Sequence, residues 1–246
     1  MQRRGFLKTS VAAMAAAGGG IAVSKLVGAE PGDKPIARGK PLTPPKGHGH
    51  IDVAFAIADG ATIIDFCGPW EVFQDVMIFG SGGSHGDHHM PFRLFTVAAT
   101  PDPITTSGGM RIIPNHTFDD APDPDVIVVP ALRGNDALHD WLRATKDEAD
   151  VTMSVCTGAF QLAQAGLLDG LQATTHHDFY DMFEEKFPKV QLERGLRFVE
   201  TEHIATAGGL TSGIDLALRV VERYYGREQV ERTAEYMEYT GEGWKV

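Results

Sequence analysis

The stretch Asp150-Val-Thr-Met-Ser-Val-Cys156-Thr157-Gly158-Ala-Phe160 constrains this chain more than any other. A β-branched, largely apolar run ends at a cysteine, and Thr-Gly-Ala-Phe-Gln-Leu-Ala then continues with helical character. Strand, cysteine, small residues and helix in that order describe a nucleophile elbow. In such a turn one side chain is thrust out over the sheet edge while small residues let backbone pass beneath it. A helix start directly after the cysteine predicts stabilisation of the thiolate by free N–H groups and the dipole. The same groups can hold an anion formed during reaction. The competing reading of Cys156 is a small buried hydrophobe.

The flanking segments extend that unit into a layered α/β domain. Ile51 to Ala58 and Asp125 to Pro130 are near-continuous apolar runs, as expected of strands covered on both faces in a parallel sheet. Phe92 to Ala98 reads as a further strand. Thr105 to Ile113 reads as a hairpin around Ser107-Gly108-Gly109, and Arg197 to Glu200 and Ile204 to Ala207 as short strands. Helices are expected from the Ile63–Phe73 region, with Pro69 suited to a first turn, and from Asp136 to Thr145, Cys156 to Gly166 and Phe179 to Phe187. Two more are expected at Ile214 to Tyr225 and Glu228 to Tyr239. Alternating strands and helices place the functional edge at the strands' C-terminal ends. That edge gathers Asp65, Ala131, Leu132, Arg133, Cys156, Thr157, His176 and the Gly208-Gly209 turn.

The ends of the chain differ in kind. Arg3-Arg4-Gly-Phe6-Leu7-Lys8, followed by an Ala- and Gly-rich weakly apolar run, resembles a twin-arginine export signal over residues 1–29. It predicts a periplasmic or otherwise extracytoplasmic protein, delivered by the export machinery and free of the membrane once the signal is removed. Residues 30–49 read as a linker and 50–246 as the folded domain. The net charge of −11 argues against a nucleic-acid partner, which needs a basic face. Two cysteines cannot make a disulfide framework, although Cys67 and Cys156 can pair with each other in an oxidising compartment. The polar loop His85-Gly-Asp87-His88-His89 carries metal-ligand side chains, but no second ligand cluster is implied, and no functional metal is expected.

Asp65 stands before a helix and reads two ways: as an N-cap, or as a carboxyl in an apolar pocket tuned for proton transfer. His176 and His177 are candidate bases for Cys156 or simply hydrogen-bonded histidines. Gly208-Gly209 fits a tight turn with helix packing rather than a phosphate loop.

Ser154-Val-Cys156-Thr157-Gly158, Ala165-Gly-Leu-Leu168, Ala173-Thr-Thr-His176, Asp65-Phe-Cys-Gly68-Pro69-Trp-Glu-Val72 and Gly208-Gly-Leu-Thr-Ser-Gly213 together resemble the PfpI superfamily. These are class I glutamine-amidotransferase-like proteins, and the pattern is most similar to the isonitrile hydratase branch. The resemblance implies a flavodoxin-like three-layer sandwich with a mostly parallel sheet, a homodimer, a small-molecule substrate and no cofactor. It further implies Cys156 as nucleophile, Asp65 as acid/base and Thr157 as donor of its hydroxyl or N–H, with His176, His177, Ala131, Leu132, Arg133 and Gly209 lining the pocket. The runner-up role it suggests is that of the non-enzymatic ligand- or redox-sensing domains joined to AraC-type regulators. Thr157 replaces the histidine of the intracellular-protease branch, which counts against peptidase activity. Ala131-Leu132-Arg133 replaces a glycine pair, His177 a tryptophan and Cys67 a threonine. Arg133 suggests a preference for anionic substrates.

Overall fold

The computed structural model describes residues 38–44, 49–79 and 88–246. The export signal, most of the linker and His85 to Asp87 lie outside the described residues. In chain order the elements are β1 (Ile51–Ala56), α1 (Ile63–Gln74), the short pair β2 (Ile78–Phe79) and β3 (His88–His89), then β4 (Phe92–Ala98). The hairpin β5 (Ile104–Thr105) and β6 (Arg111–Ile112) follows, then β7 (His116–Thr117), β8 (Val126–Val129), α2 (Asp136–Thr145) and β9 (Val151–Val155). The chain continues through α3 (Gly158–Gln164), β10 (Gln172–Ala173), a 3-10 turn at His177–Phe179, α4 (Tyr180–Lys186) and β11 (Gln191–Leu192). It ends with β12 (Phe198–Glu200), β13 (Ile204–Ala207) and α5 (Ser212–Tyr236).

Seven strands form one sheet in the order β12-β13-β9-β8-β1-β4-β7. Only the edge pair β12–β13 is antiparallel. The alternation of side chains along each strand divides the interior into two cores. Val53, Phe55, Val126, Val128, Met153 and Val155 pack with α1 and α5 on one face. Ala54, Ala56, Ile127 and Val129 pack with α2, α3 and α4 on the other. Both sides of the central strands are thus covered, which is why they read as unbroken apolar runs.

Three expectations change. Pro69 lies in the interior of α1, not its first turn, because the helix begins at Ile63. Its missing N–H takes the Asp65 carbonyl out of the helical ladder, and its ring faces Gly213 at the start of α5. The two C-terminal helices abut as α5, broken only at Gly226, whose φ of 81° and ψ of 175° no side-chain-bearing residue adopts readily. Arg38 to Pro44, read as linker, is docked: Leu42 N–H donates to the Arg223 carbonyl, and the Arg223 side chain donates back to the Lys40 carbonyl. No described helix is long and apolar enough to cross a membrane.

Candidate active site at the β9–α3 elbow

β9 delivers Cys156 to the C-terminal edge of the sheet with a φ of 59°, in the left-handed region. For a residue bearing Cβ this conformation is costly and must be held by its surroundings. Cys156 N–H donates to the carbonyls of Gly208 at 2.8 Å and Ala207 at 3.2 Å. Its carbonyl accepts from the buried Thr175 hydroxyl at 2.9 Å. Gly158 then passes so near β8 that a Cβ there would lie 2.1 Å from the Val129 carbonyl oxygen, so glycine is required. Strand, strained cysteine and close-passing glycine confirm the elbow.

Asp65, in the first turn of α1, is fully buried beside it. The carboxylate does not cap the helix; Thr62 holds the N-cap position, and Asp65 Oδ2 instead accepts the Ala131 N–H at 3.1 Å. Oδ1 is buried without a hydrogen-bond partner among the described residues. Burial pushes the Asp65 carboxyl up to about 7, against the smaller lowering effects of the Ala131 amide and the Cys156 thiol.

Cys156 does not rest as a thiolate. Burial first, and the neighbouring Asp65 charge second, push its thiol up to about 11. The Thr157 and Leu210 amides and the Thr157 hydroxyl donate toward the sulfur and pull the other way, but do not prevail. α3 is only seven residues long, so its dipole is short as well. The expected thiolate is replaced by a buried pair sharing protons: a carboxyl that titrates near neutrality and a thiol that keeps its hydrogen. Cys67 is exposed on α1, and both cysteines are free, so the alternative of a Cys67–Cys156 disulfide falls.

The remaining residues divide. Ala131 is at the site, but its N–H is committed to Asp65 and is no ready oxyanion donor. Leu132 is half-buried, and its carbonyl accepts from Gln161 Nε2 at 3.5 Å. Arg133 is exposed, its stem placed against Gly60, with neither ion pair nor side-chain hydrogen bond among the described residues. His176 faces Gly209 so closely that a Cβ on that glycine would fall 2.5 Å from the ring. Both border a cleft of about 400 Å³ with Thr175, Gly208, Leu210 and Thr211. His176 Nδ1 accepts the Asp178 N–H, and among the described residues no hydrogen bond joins His176 to Cys156. His177 also borders the cleft, but its side chain is 72% exposed and turns to Asp178. Cys156 is not in the lining of this cleft and is only 7% exposed.

Leu210 is the functional residue that sequence reasoning passed over. It works through its backbone amide, at a φ of 52°, and the preceding glycine pair was the available signal that this turn is specialised.

Residues 52–223 match the DJ-1/PfpI family. The chain belongs to that family. It is 34% identical to the isonitrile hydratase of Pseudomonas putida over 143 residues, 56% of this chain and 61% of that protein. It is 32% identical over 150 residues to the HTH-type transcriptional regulator CdhR of Pseudomonas aeruginosa, covering 58% of this chain and 44% of the regulator. The chain thus spans less than two thirds of either relative. Among solved structures, a THiJ/PfpI family protein from Pseudomonas syringae superimposes with a TM-score of 0.65 at 26% identity, covering 78% of this chain and 76% of that one. The DJ-1/PfpI fold accounts for the mostly parallel seven-stranded sheet and for the elbow at its C-terminal edge.

Proposed function

We propose that this protein hydrates a small, linear carbon electrophile, of which an isonitrile is the type, to an N-substituted formamide. The observation that carries the reading is the Asp65–Cys156 pair: a carboxyl titrating near 7 against a thiol that cannot ionise alone. A general base is most effective with a pKa near the working pH, and here it sits beside the nucleophile. As Sγ bonds to the terminal carbon of R–NC, the thiol proton passes to Asp65. Asp65 returns it to that carbon, leaving R–N=CH–S–Cys156. Water adds at the same carbon, the C–S bond breaks, sulfur recovers a proton, and R–NH–CHO leaves. The sum is R–NC plus water, and sulfur is neither oxidised nor reduced. The small exposure of Cys156 favours a slim head group over a trigonal amide, and the identity to isonitrile hydratase points the same way.

The test is direct. Alkyl isonitriles incubated with the protein should yield formamide by NMR, with a rate that climbs with pH across about 7 as Asp65 ionises. Cys156→Ala should abolish turnover, and Asp65→Asn should remove the pH dependence with the residual rate. Failure of several isonitriles to react while Cys156 remains alkylatable would discard the enzyme reading.

The HTH-type regulators among the relatives favour a second reading, a ligand- or redox-sensing domain. Under it, oxidation of Cys156 by peroxide to a sulfinic acid would be stabilised by the Thr157 and Leu210 amides, and mass spectrometry would find the gain of two oxygens on that residue. Export by the twin-arginine route and assembly as a homodimer complete the proposal. Periplasmic protein beginning after Ala29 and a solution mass of two chains are the expected results; cytoplasmic retention or a monomer would remove them.

A further inference from the structure

α3 begins two residues after Cys156, and one of its faces runs along the chain that leaves β8. Gly158 and Gln161, three residues apart, share that face. Gly158 lies against the Val129 and Pro130 carbonyls, and Gln161 against Leu132 and Gly134. Ala131, whose N–H bonds to Asp65 Oδ2 at 3.1 Å, stands between those two contacts. The helix that starts beside the nucleophile therefore flanks, on both sides, the amide that holds the base.

The second contact is a specific one. Gln161 is buried, which obliges its side-chain amide to find partners inside the protein. Its Nε2 donates to the Leu132 carbonyl at 3.5 Å, and its Oε1 lies 2.9 Å from His139 Nε2 on α2. One orientation of the amide satisfies both bonds, with the imidazole carrying its hydrogen on Nε2. Gly134 lies so flat on this group that a Cβ there would fall 1.7 Å from Oε1. On the α1 side the same loop is tied by backbone: Thr62 N–H donates to the Ala131 carbonyl, and Arg133 N–H to the Asp59 carbonyl. On the α3 side Gln161 supplies a side-chain tie.

We propose that Gln161 is a positioning residue for the Asp65–Cys156 pair: by clamping Leu132 and Gly134 to α3, it keeps the Ala131 amide on Asp65 Oδ2. The inference rests on the reading of Asp65 as the base, and Gln161 acts through the loop rather than on the substrate. The Cys156 thiol is the titratable group facing Asp65, and the Ala131 amide is the other polar neighbour. That amide favours the ionised carboxylate, so loosening it moves the Asp65 titration further upward.

Carbon-13 NMR of the full chain, labelled at the aspartate carboxyls, follows Asp65 directly, with its signal identified by its loss in Asp65→Asn. Gln161→Met keeps most of the side-chain volume and removes both amide bonds. Its Asp65 midpoint should rise from about 7. The isonitrile rate below that midpoint should drop about threefold or more, with the deficit narrowing as pH rises. Gly134→Ala, which displaces the Gln161 amide from the opposite side, should move the midpoint in the same direction. An unmoved Asp65 midpoint in both variants, accompanied only by a lower thermal midpoint, would reduce Gln161 to packing and overturn the role. The NMR result does not depend on turnover. A protein that hydrates no isonitrile, yet shows the raised midpoint in both variants, keeps the positioning role and loses only the reaction.

Discussion

Asp65 is where the chemistry of single residues matters most, because its burial sets both reactivity and stability. The folded carboxyl holds its proton up to about pH 7, whereas the unfolded one releases it near 3.8. Between those values the folded chain binds more protons, so stability falls as pH rises through the window and levels off above it. At about 1.4 kcal/mol per pH unit the whole effect is on the order of 4 kcal/mol. Asp65→Asn keeps an acceptor for the Ala131 N–H but has nothing to ionise. Its stability relative to wild type should therefore grow by about 3 kcal/mol from pH 5 to pH 8 in urea titrations. Parallel pH–stability curves for the two proteins would show that the carboxyl titrates normally. A second residue, Thr175, acts on the sulfur through backbone. Its hydroxyl holds the Cys156 carbonyl, and Thr175→Val removes that donor at nearly constant volume. Loss of one buried hydrogen bond costs about 1–3 kcal/mol. The more telling outcome is a slower alkylation of Cys156, restored by Thr175→Ser. Unchanged alkylation in the valine protein would mean that the remaining bonds suffice to hold the strained turn.

At the scale of elements, the elbow depends on two chain segments passing almost in contact. A Cβ at position 158 would meet the Val129 carbonyl at 2.1 Å and the Pro130 carbonyl at 2.9 Å, both backbone atoms with little freedom to yield. Gly158→Ala should therefore part α3 from β8, at a cost above the usual ~1–3 kcal/mol of overpacking, and lower the thermal midpoint accordingly. A midpoint within a degree of wild type would contradict so close an approach. This glycine was readable from sequence, as were β4 and α2, whose limits coincide with those expected, an apolar run in the first case and an amphipathic stretch in the second. Two-residue strands such as β2, β7 and β10 were not, since two positions are too few to show a period. The contact of Asp65 with Ala131 spans 66 residues. Nothing local distinguishes that aspartate from a helix cap, and only the amide of Ala131, just beyond β8, decides. The Leu210 amide was hidden for another reason: a backbone N–H leaves no mark on residue identity.

Across the whole molecule, the antiparallel edge of the sheet, the C-terminal helix and the early segment 38–44 are joined through one buried cation. Arg223 donates to the Lys40 carbonyl at 2.8 Å and the Glu202 carbonyl at 2.6 Å, and Gly39 lies flat against its guanidinium. Glu200 is buried nearby, bonded to Arg219 through Oε1 with Oε2 unpartnered among the described residues, so much of its charge is balanced by these two arginines. Burial holds the Arg223 guanidinium below its ordinary range, and the Glu200 charge only partly offsets that. Arg223→Met preserves the length of the stem and removes both the donors and the positive charge. Breaking a buried charge network by taking one partner costs about 3–5 kcal/mol. The loss should be reported by a lower midpoint and by earlier proteolysis within residues 38–44 than in wild type. Glu200→Gln in the same protein should recover part of the loss, because it removes the charge left uncompensated. If the double variant is no more stable than Arg223→Met alone, the carboxylate and the guanidinium are not coupled, and segment 38–44 is held by its backbone bond at Leu42 instead.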